Sequence, residues 1–257
     1  MQGETSVVTK INSGIGTIEF GTPKSNSLPG HVLRKLAEEI IQTSENPDVK
    51  VILIRSTGEK AFCAGASFDE LLEIDDLESS KIFFSGFAEV LEAMRTCGKL
   101  VVVRVQGKTT GGGVGIACGA DYCFATQNAS FALTELNLGI GPFVIGPYVE
   151  RKMGTSQFTA MAMDASFRDA QWGKNHGVYH EVYQSIDEMD SALDAFINQL
   201  ANRSTKALSL IKKVSWENTD HFSDLMPERI TMSASLILEP YAKKQILSIK
   251  EKLAAKN

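Results

Sequence analysis

The chain has 257 residues, 43% of them hydrophobic, which is enough to bury one sizeable core and a smaller appendage. Charged residues make up 22%, and a formal net charge of −5 gives no electrostatic reason to expect a nucleic-acid partner. No run approaches the roughly 18 apolar residues of a membrane span, and the opening residues lack a secretory pattern. The four cysteines form no Cys-x-x-Cys pair. We therefore expect reduced thiols, a cytoplasmic location and no membrane contact.

Strand-like and helix-like segments alternate along the first two thirds of the chain. Short apolar runs predict strands at Val7–Lys10, Thr17–Phe20, Val49–Arg55, Leu100–Val105, Tyr122–Ala125 and Val178–Tyr183. Apolar residues at helical spacing predict helices at Pro29–Thr43 and Ser79–Cys97, with Pro29 at the first helical position. From about residue 186 the pattern is helical, at Asp187–Ala201, Thr205–Trp216 and Pro240–Ala255. This alternation predicts an α/β fold with a helical C-terminal region.

The most informative segment is the glycine-rich stretch 107–121, which follows the apolar run Leu100–Val105. A strand that breaks into glycines and then a helix of small residues exposes backbone N–H groups at a helix start, where negative charge is stabilised. A second turn of this kind, residues 61–67, lies upstream and also follows a strand-like run. Two such turns can converge on one oxygen atom.

The glycines have three simpler interpretations. A nucleotide P-loop ends in Gly-Lys-Ser/Thr, whereas Lys108 precedes the glycines here. A dehydrogenase-type dinucleotide site would use Tyr148 and Lys152 as its Tyr-x-x-x-Lys pair, but the stretch from Thr110 to Tyr148 is too short for that fold. The glycines can also serve only close packing of a helix on a strand.

Several segments, in this order and spacing, resemble the crotonase superfamily, the enoyl-CoA hydratase/isomerase fold. They are Asn26–Leu28, Glu59–Ala66, Gly107–Asp121, Phe131–Gly139 and Ala170–Val178. The resemblance implies a crotonase-like spiral of repeated ββα units over residues 1–190. It implies a C-terminal all-helical trimerisation region over residues 191–257, and a homotrimer or a dimer of trimers. It also implies an acyl-CoA substrate, with no cofactor beyond the coenzyme A moiety of that substrate and no metal.

The resemblance assigns the oxyanion hole to the backbone N–H groups of Ala66 and Gly112, and the acid/base role to Glu135. Many hydratases carry a second glutamate at the position that Gly115 occupies here, so this chain lacks that carboxylate. Phe143 stands where dienoyl isomerases of this fold carry an aspartate. A base that works near neutral pH needs a raised pKa, which burial among Phe131, Leu136 and Phe143 would supply.

The resemblance places coenzyme A and the acyl group on two further sets of residues. Those expected beside coenzyme A are Lys60, Ala61, Phe62, Ala64 and Gly111. Those expected to line the acyl pocket are Phe68, Leu72, Phe87, Gly115, Phe143 and Val144.

One carboxylate is enough to take a proton from one carbon of an enoyl thioester and return it to another. The missing partner at Gly115 therefore favours double-bond isomerisation over hydration. Syn addition of water, possibly to a branched enoyl-CoA, with Glu135 in both roles stays an alternative. A non-catalytic acyl-CoA-binding paralogue is the second alternative.

Overall fold

The computed structural model describes residues 5–254, and side chains as far as residue 252. The ends of the predicted last helix (Ala255) and of the C-terminal region (residue 257), and residues 1–4, lie outside it. The strands are β1 (Ser6–Asn12), β2 (Ile15–Gly21), β3 (Val51–Ser56), β4 (Ala61–Cys63), β5 (Leu100–Val105), β6 (Lys108–Thr110), β7 (Tyr122–Thr126), β8 (Ser130–Ala132), β9 (Arg168–Asp169) and β10 (Glu181–Tyr183).

Helices follow most of these strands. They are α1 (Gly30–Glu45), α2 (Phe68–Glu73), α3 (Leu77–Thr96), α4 (Gly112–Gly119), α5 (Gly146–Met153), α6 (Thr155–Asp164), α7 (Ala170–Asn175), α8 (Ile186–Ala201), α9 (Thr205–Ser215), α10 (His221–Ile237) and α11 (Pro240–Ala254). A short 3-10 helix spans Glu135–Leu138. None of the helices within residues 5–254 has the length and apolar character that crossing a bilayer requires.

The larger sheet has the strand order β1-β2-β3-β5-β7-β10, and only the β1–β2 hairpin is antiparallel. Its central strands are buried on both faces, as their continuous apolar runs predict. Alternate residues along a central strand face two different hydrophobic cores, one on each side of the sheet. In β3, Ile52 and Ile54 belong to the main core with α1 and α3, whereas Val51 and Leu53 face Met189 and its neighbours on α8.

The smaller sheet has the order β4-β6-β8-β9, and β4, β6 and β8 are parallel. Each of these short strands follows a long strand of the larger sheet and precedes a helix. The chain therefore repeats a ββα unit as it winds, which confirms the predicted spiral. Because parallel neighbours end at the same edge, the turns after β4, β6 and β8 lie side by side.

Two local predictions need correction. Pro29 is the N-cap of α1, with φ −74° and ψ 159°, rather than its first helical residue. Helix α10 is additional to the three C-terminal helices that the sequence predicts, and it contains Pro227, a residue that normally interrupts a helix. The division at residue 190 falls within α8, which packs on the larger sheet.

Candidate active site

The three predicted chemical groups come directly after three neighbouring parallel strands. Ala66 follows β4, Gly112 follows β6, and Glu135 follows β8. The first two turns touch each other at Gly65, whose φ is +78°. A Cβ there would lie 2.9 Å from the carbonyl oxygen of Thr110 and 3.6 Å from the backbone nitrogen of Gly112. Only glycine allows this approach, which brings the two turns together.

The backbone N–H groups of Ala66 and Gly112 have no protein acceptor within residues 5–254. Gly112 is the first residue of α4, so its N–H has no partner inside the helix. The amide after Ala66, that of Ser67, is already used, because it donates to the carbonyl of Leu28 at 3.1 Å. Two adjacent turns thus each present a free donor, and the start of α4 adds a favourable potential for an anion.

Glu135 opens the 3-10 helix, and its carboxylate lies beside the second turn. A Cβ on Gly111 would be 3.3 Å from Oε1 of Glu135. Oε2 is buried and has no hydrogen-bond partner among the described residues. Because burial penalises the charged form, the pKa of Glu135 rises from its ordinary value near 4.5 to about 7.

A cavity of about 90 Å³ joins these groups. Ala66, Gly112 and Glu135 lie in its wall with the predicted Phe68, Phe87, Phe143 and Val144. Glu135 is the only ionisable side chain in that wall within the described part of the chain. The rest of the wall is apolar except for Thr110, Thr134 and Ser233. A polar reacting centre here would be surrounded largely by hydrocarbon.

The family comparison covers most of the chain. A family model described as "Enoyl-CoA hydratase/isomerase" matches residues 10–255. The chain belongs to the enoyl-CoA hydratase/isomerase family. The comparison covers nearly the whole spiral and the helices that follow it, which confirms the crotonase-like fold.

Individual relatives are distant. The chain is 28% identical over 195 residues to the carnitinyl-CoA dehydratase of Proteus mirabilis, covering 75% of this chain and 73% of that protein. It is 28% identical over 206 residues to the Salmonella enteritidis carnitinyl-CoA dehydratase, covering 79% and 77%. The crystal structure of an enoyl-CoA hydratase from Bacillus halodurans matches with a TM-score of 0.88, 17% identity and coverage of 94% and 99%. One from Mycobacterium avium subsp. paratuberculosis matches at 0.85, 22% identity and 96% of each chain.

Two of the six residues expected to line the acyl pocket of this family member do not reach the cavity. Leu72 packs against the main core instead. Gly115 faces Ile145, and a Cβ on it would lie 2.6 Å from Cγ2 of that side chain. Ile145 therefore occupies the space into which a side chain at position 115 would project. Position 115 therefore lacks a carboxylate, and Ile145 fills the space that a side chain there would need.

The residues expected beside coenzyme A differ in how exposed they are. Lys60 is exposed, Ala61 is partly buried, and Ala64 and Gly111 lie in the cavity wall. The expectation that the Phe62 side chain lies beside coenzyme A is wrong, because this side chain is fully buried. Its ring packs edge-on against the ring of Phe20, with the two centroids 5.6 Å apart. Its ring supports the turn from within the core and has no surface left to offer a ligand.

Sequence reasoning also missed some of what surrounds Glu135. Leu136 is half-exposed and does not cover the carboxylate, contrary to expectation. Phe131 lies in the core against Trp172 and Tyr179. The wall instead includes Ile140 and Ser233, the latter on the unpredicted helix α10. No local signal marks these residues, because they reach the site only through the folding of distant segments.

Proposed function

We propose that this protein is an enoyl-CoA isomerase that moves a double bond in an acyl-CoA thioester through an enolate. The observation that carries the proposal is that, among the residues the structure describes, Glu135 is the single ionisable side chain in the wall of the cavity. Moving a double bond needs one proton removed and one returned. One group can do both, since the proton that it accepts is the proton that it later gives back.

The proposed steps use the two N–H donors and the carboxylate. A 3-enoyl thioester would place its carbonyl oxygen between the N–H groups of Ala66 and Gly112, and C2 near the carboxylate of Glu135. The carboxylate takes a proton from C2, and the electron pair moves through the carbonyl to give a dienolate whose oxygen accepts both N–H donors. Protonated Glu135 then gives the proton to C4, which leaves the double bond between C2 and C3. Loss of one preorganised donor of this kind costs about 10²–10³ in rate.

A pKa near 7 suits this exchange. A group with that pKa is present in both protonation states near neutral pH, so neither proton transfer is strongly uphill. The apolar wall that raises this pKa also strengthens the two N–H contacts to the enolate oxygen, because water no longer screens them.

Hydration is the second candidate, and the names of the relatives favour it. The two sequence relatives described above are carnitinyl-CoA dehydratases, and the two matching crystal structures are of enoyl-CoA hydratases. In that reaction Glu135 would activate water and also deliver the proton to the α-carbon. A non-catalytic acyl-CoA-binding protein is a third candidate, and any measurable turnover excludes it.

We also propose where coenzyme A binds, how the protein assembles and where it is located. Coenzyme A would lie along the backbone of residues 60–64, and the helices after residue 190 would assemble the protein as a homotrimer or a dimer of trimers. Exposed Leu210, Ile211 and Val214 on α9 support such a contact. All four cysteines are buried and free, which supports a reducing cytoplasm.

One experiment separates the candidates. Purified protein is incubated in heavy water with a 2-enoyl-CoA and, separately, a 3-enoyl-CoA, and the products are followed by mass spectrometry. An isomerase moves the double bond and incorporates deuterium without gaining a water molecule, whereas a hydratase adds one. Glu135→Gln should lose nearly all turnover while keeping acyl-CoA binding, and unchanged turnover in this variant would overturn the assignment of Glu135.

A further inference from the structure

A second, larger cavity of about 870 Å³ adjoins the cavity that holds Glu135. Four consecutive residues, 140–143, contribute to the walls of both. These residues therefore form the partition between the two spaces. The ring of Phe143 packs against Gly141 in this partition, since a Cβ on Gly141 would be 2.4 Å from Cζ of that ring. An acyl chain that crossed this partition beside Phe143 would enter the larger cavity.

Arg229 of α10 lies in the wall of the larger cavity. Its Nε is buried and has no hydrogen-bond partner within residues 5–252. The polar contact that its guanidinium does make is weak, from Nη1 to the sulfur of Met232 at 3.9 Å. An arginine cannot shed its charge, so a buried N–H of this group without an acceptor is unfavourable unless a ligand completes it.

Other charged side chains of this cavity are engaged or face solvent. Arg151 donates to the carbonyl of Ser215 and lies 4.3 Å over the ring of Trp216. Glu150 accepts a hydrogen bond from the hydroxyl of Thr155. Glu217 and His221 are exposed. Within the described part of the chain, Arg229 is therefore the cation of this wall that has a buried donor, Nε, without an acceptor.

We infer that the acyl chain passes beside Phe143 into the larger cavity, and that its far end carries a carboxylate that binds Arg229. This inference rests on the proposed function, because it assumes an acyl-CoA in the smaller cavity. A carboxylate fits because it can accept two parallel N–H bonds from a guanidinium. The apolar lining between the two ends, which includes Phe158, Ala162 and Leu225, suits the hydrocarbon part of such a chain.

The test measures binding rather than turnover, so that it does not depend on which reaction occurs. Two series of saturated acyl-CoA thioesters of matched length, one ending in a carboxylate and one in a methyl group, are titrated calorimetrically. The wild type should bind the longer carboxylate members about tenfold more tightly than their methyl partners, or about 1.4 kcal/mol. The shortest members should show no preference, because their ends cannot pass Phe143.

Three variants locate the effect. Arg229→Met should remove the preference, and Arg229→Lys should keep part of it, because lysine retains the charge but not the paired donors. Arg203→Met, at an exposed position after α8, is the matched control and should keep the full preference. Thermal melts and sedimentation of each variant report its folding and assembly.

The negative outcomes are distinct. Equal affinities at every length, or a preference that survives Arg229→Met, would refute the inference while leaving the proposed function standing. A change in the mass of the assembly with Arg229→Met at unchanged affinity ratios would assign Arg229 to a contact between copies of the chain instead. If neither series binds, the proposed function fails as well.

Discussion

Replacing Glu135 with glutamine should stabilise the protein while abolishing its catalysis. Burial raises the pKa of this carboxyl from near 4.5 to about 7. Between these pH values the folded protein keeps a proton that the unfolded chain releases, so the free energy of unfolding falls as pH rises. A shift of about 2.5 pKa units corresponds to about 3 kcal/mol, lost in full above pH ~7. Glutamine has nearly the same volume and no charge to bury.

The assay is urea unfolding of the wild type and of Glu135→Gln at several pH values. The variant should be more stable by up to about 3 kcal/mol near pH ~8, and the difference should shrink steadily toward pH ~4.5. Glu45→Gln, at the exposed C-terminal end of α1, provides a matched control with the same change of charge. A stability difference that does not vary with pH would refute the reasoning, because it would mean that the carboxyl is not held protonated by burial.

Three other predictions follow from the same structure. In the wild type, kcat/KM should rise with pH through about 7, as Glu135 becomes the carboxylate that takes the first proton; a flat profile would contradict this role. Gly112→Ala places a Cβ 2.0 Å from Cε1 of Phe87 and should lower the free energy of unfolding, measured by thermal unfolding, by about 1–3 kcal/mol. Gly98→Ala, whose Cβ meets nothing within 4 Å, should leave it unchanged. Lys212→Met removes the cation that lies 2.7 Å from the buried carboxylate of Asp121, which would keep only its neutral N–H donors, and should cost about 3–5 kcal/mol in urea unfolding; the matched change at the exposed Lys213, Lys213→Met, should change stability by less than about 0.5 kcal/mol.

Strands that are buried on both faces could be predicted from the sequence, and those of the smaller sheet could not. Leu100–Val105 is a continuous apolar run, and it forms β5 with the predicted bounds. Strands β6 and β8 have three residues each, too few for any periodicity to show. Their pairing is set by the long strands that precede them, so it depends on the larger sheet and not on their own residues.

The backbone part of the site is easier to predict than its side chains. Gly65 has a φ of +78° that favours glycine, and a Cβ on Gly112 would lie 2.0 Å from the ring of Phe87, so both glycines mark the positions of the donors. The burial of Glu135 depends on Ile140 and on Ser233 of α10, which are brought to it by tertiary packing. The inward direction of Phe62 follows from core packing beneath the turn, which the sequence pattern does not reveal.

In the proposed reaction, the groups that would bind the enolate and the group that would move the proton lie on different turns. The two N–H donors belong to the turns after β4 and β6, whose positions are fixed by strand pairing and do not depend on any catalytic side chain. The carboxylate comes from the turn after β8. A second carboxylate would have to project from Gly115, within α4, into space that Ile145 fills. Exchanging that pair of residues would change the number of carboxylates in the site without moving either donor.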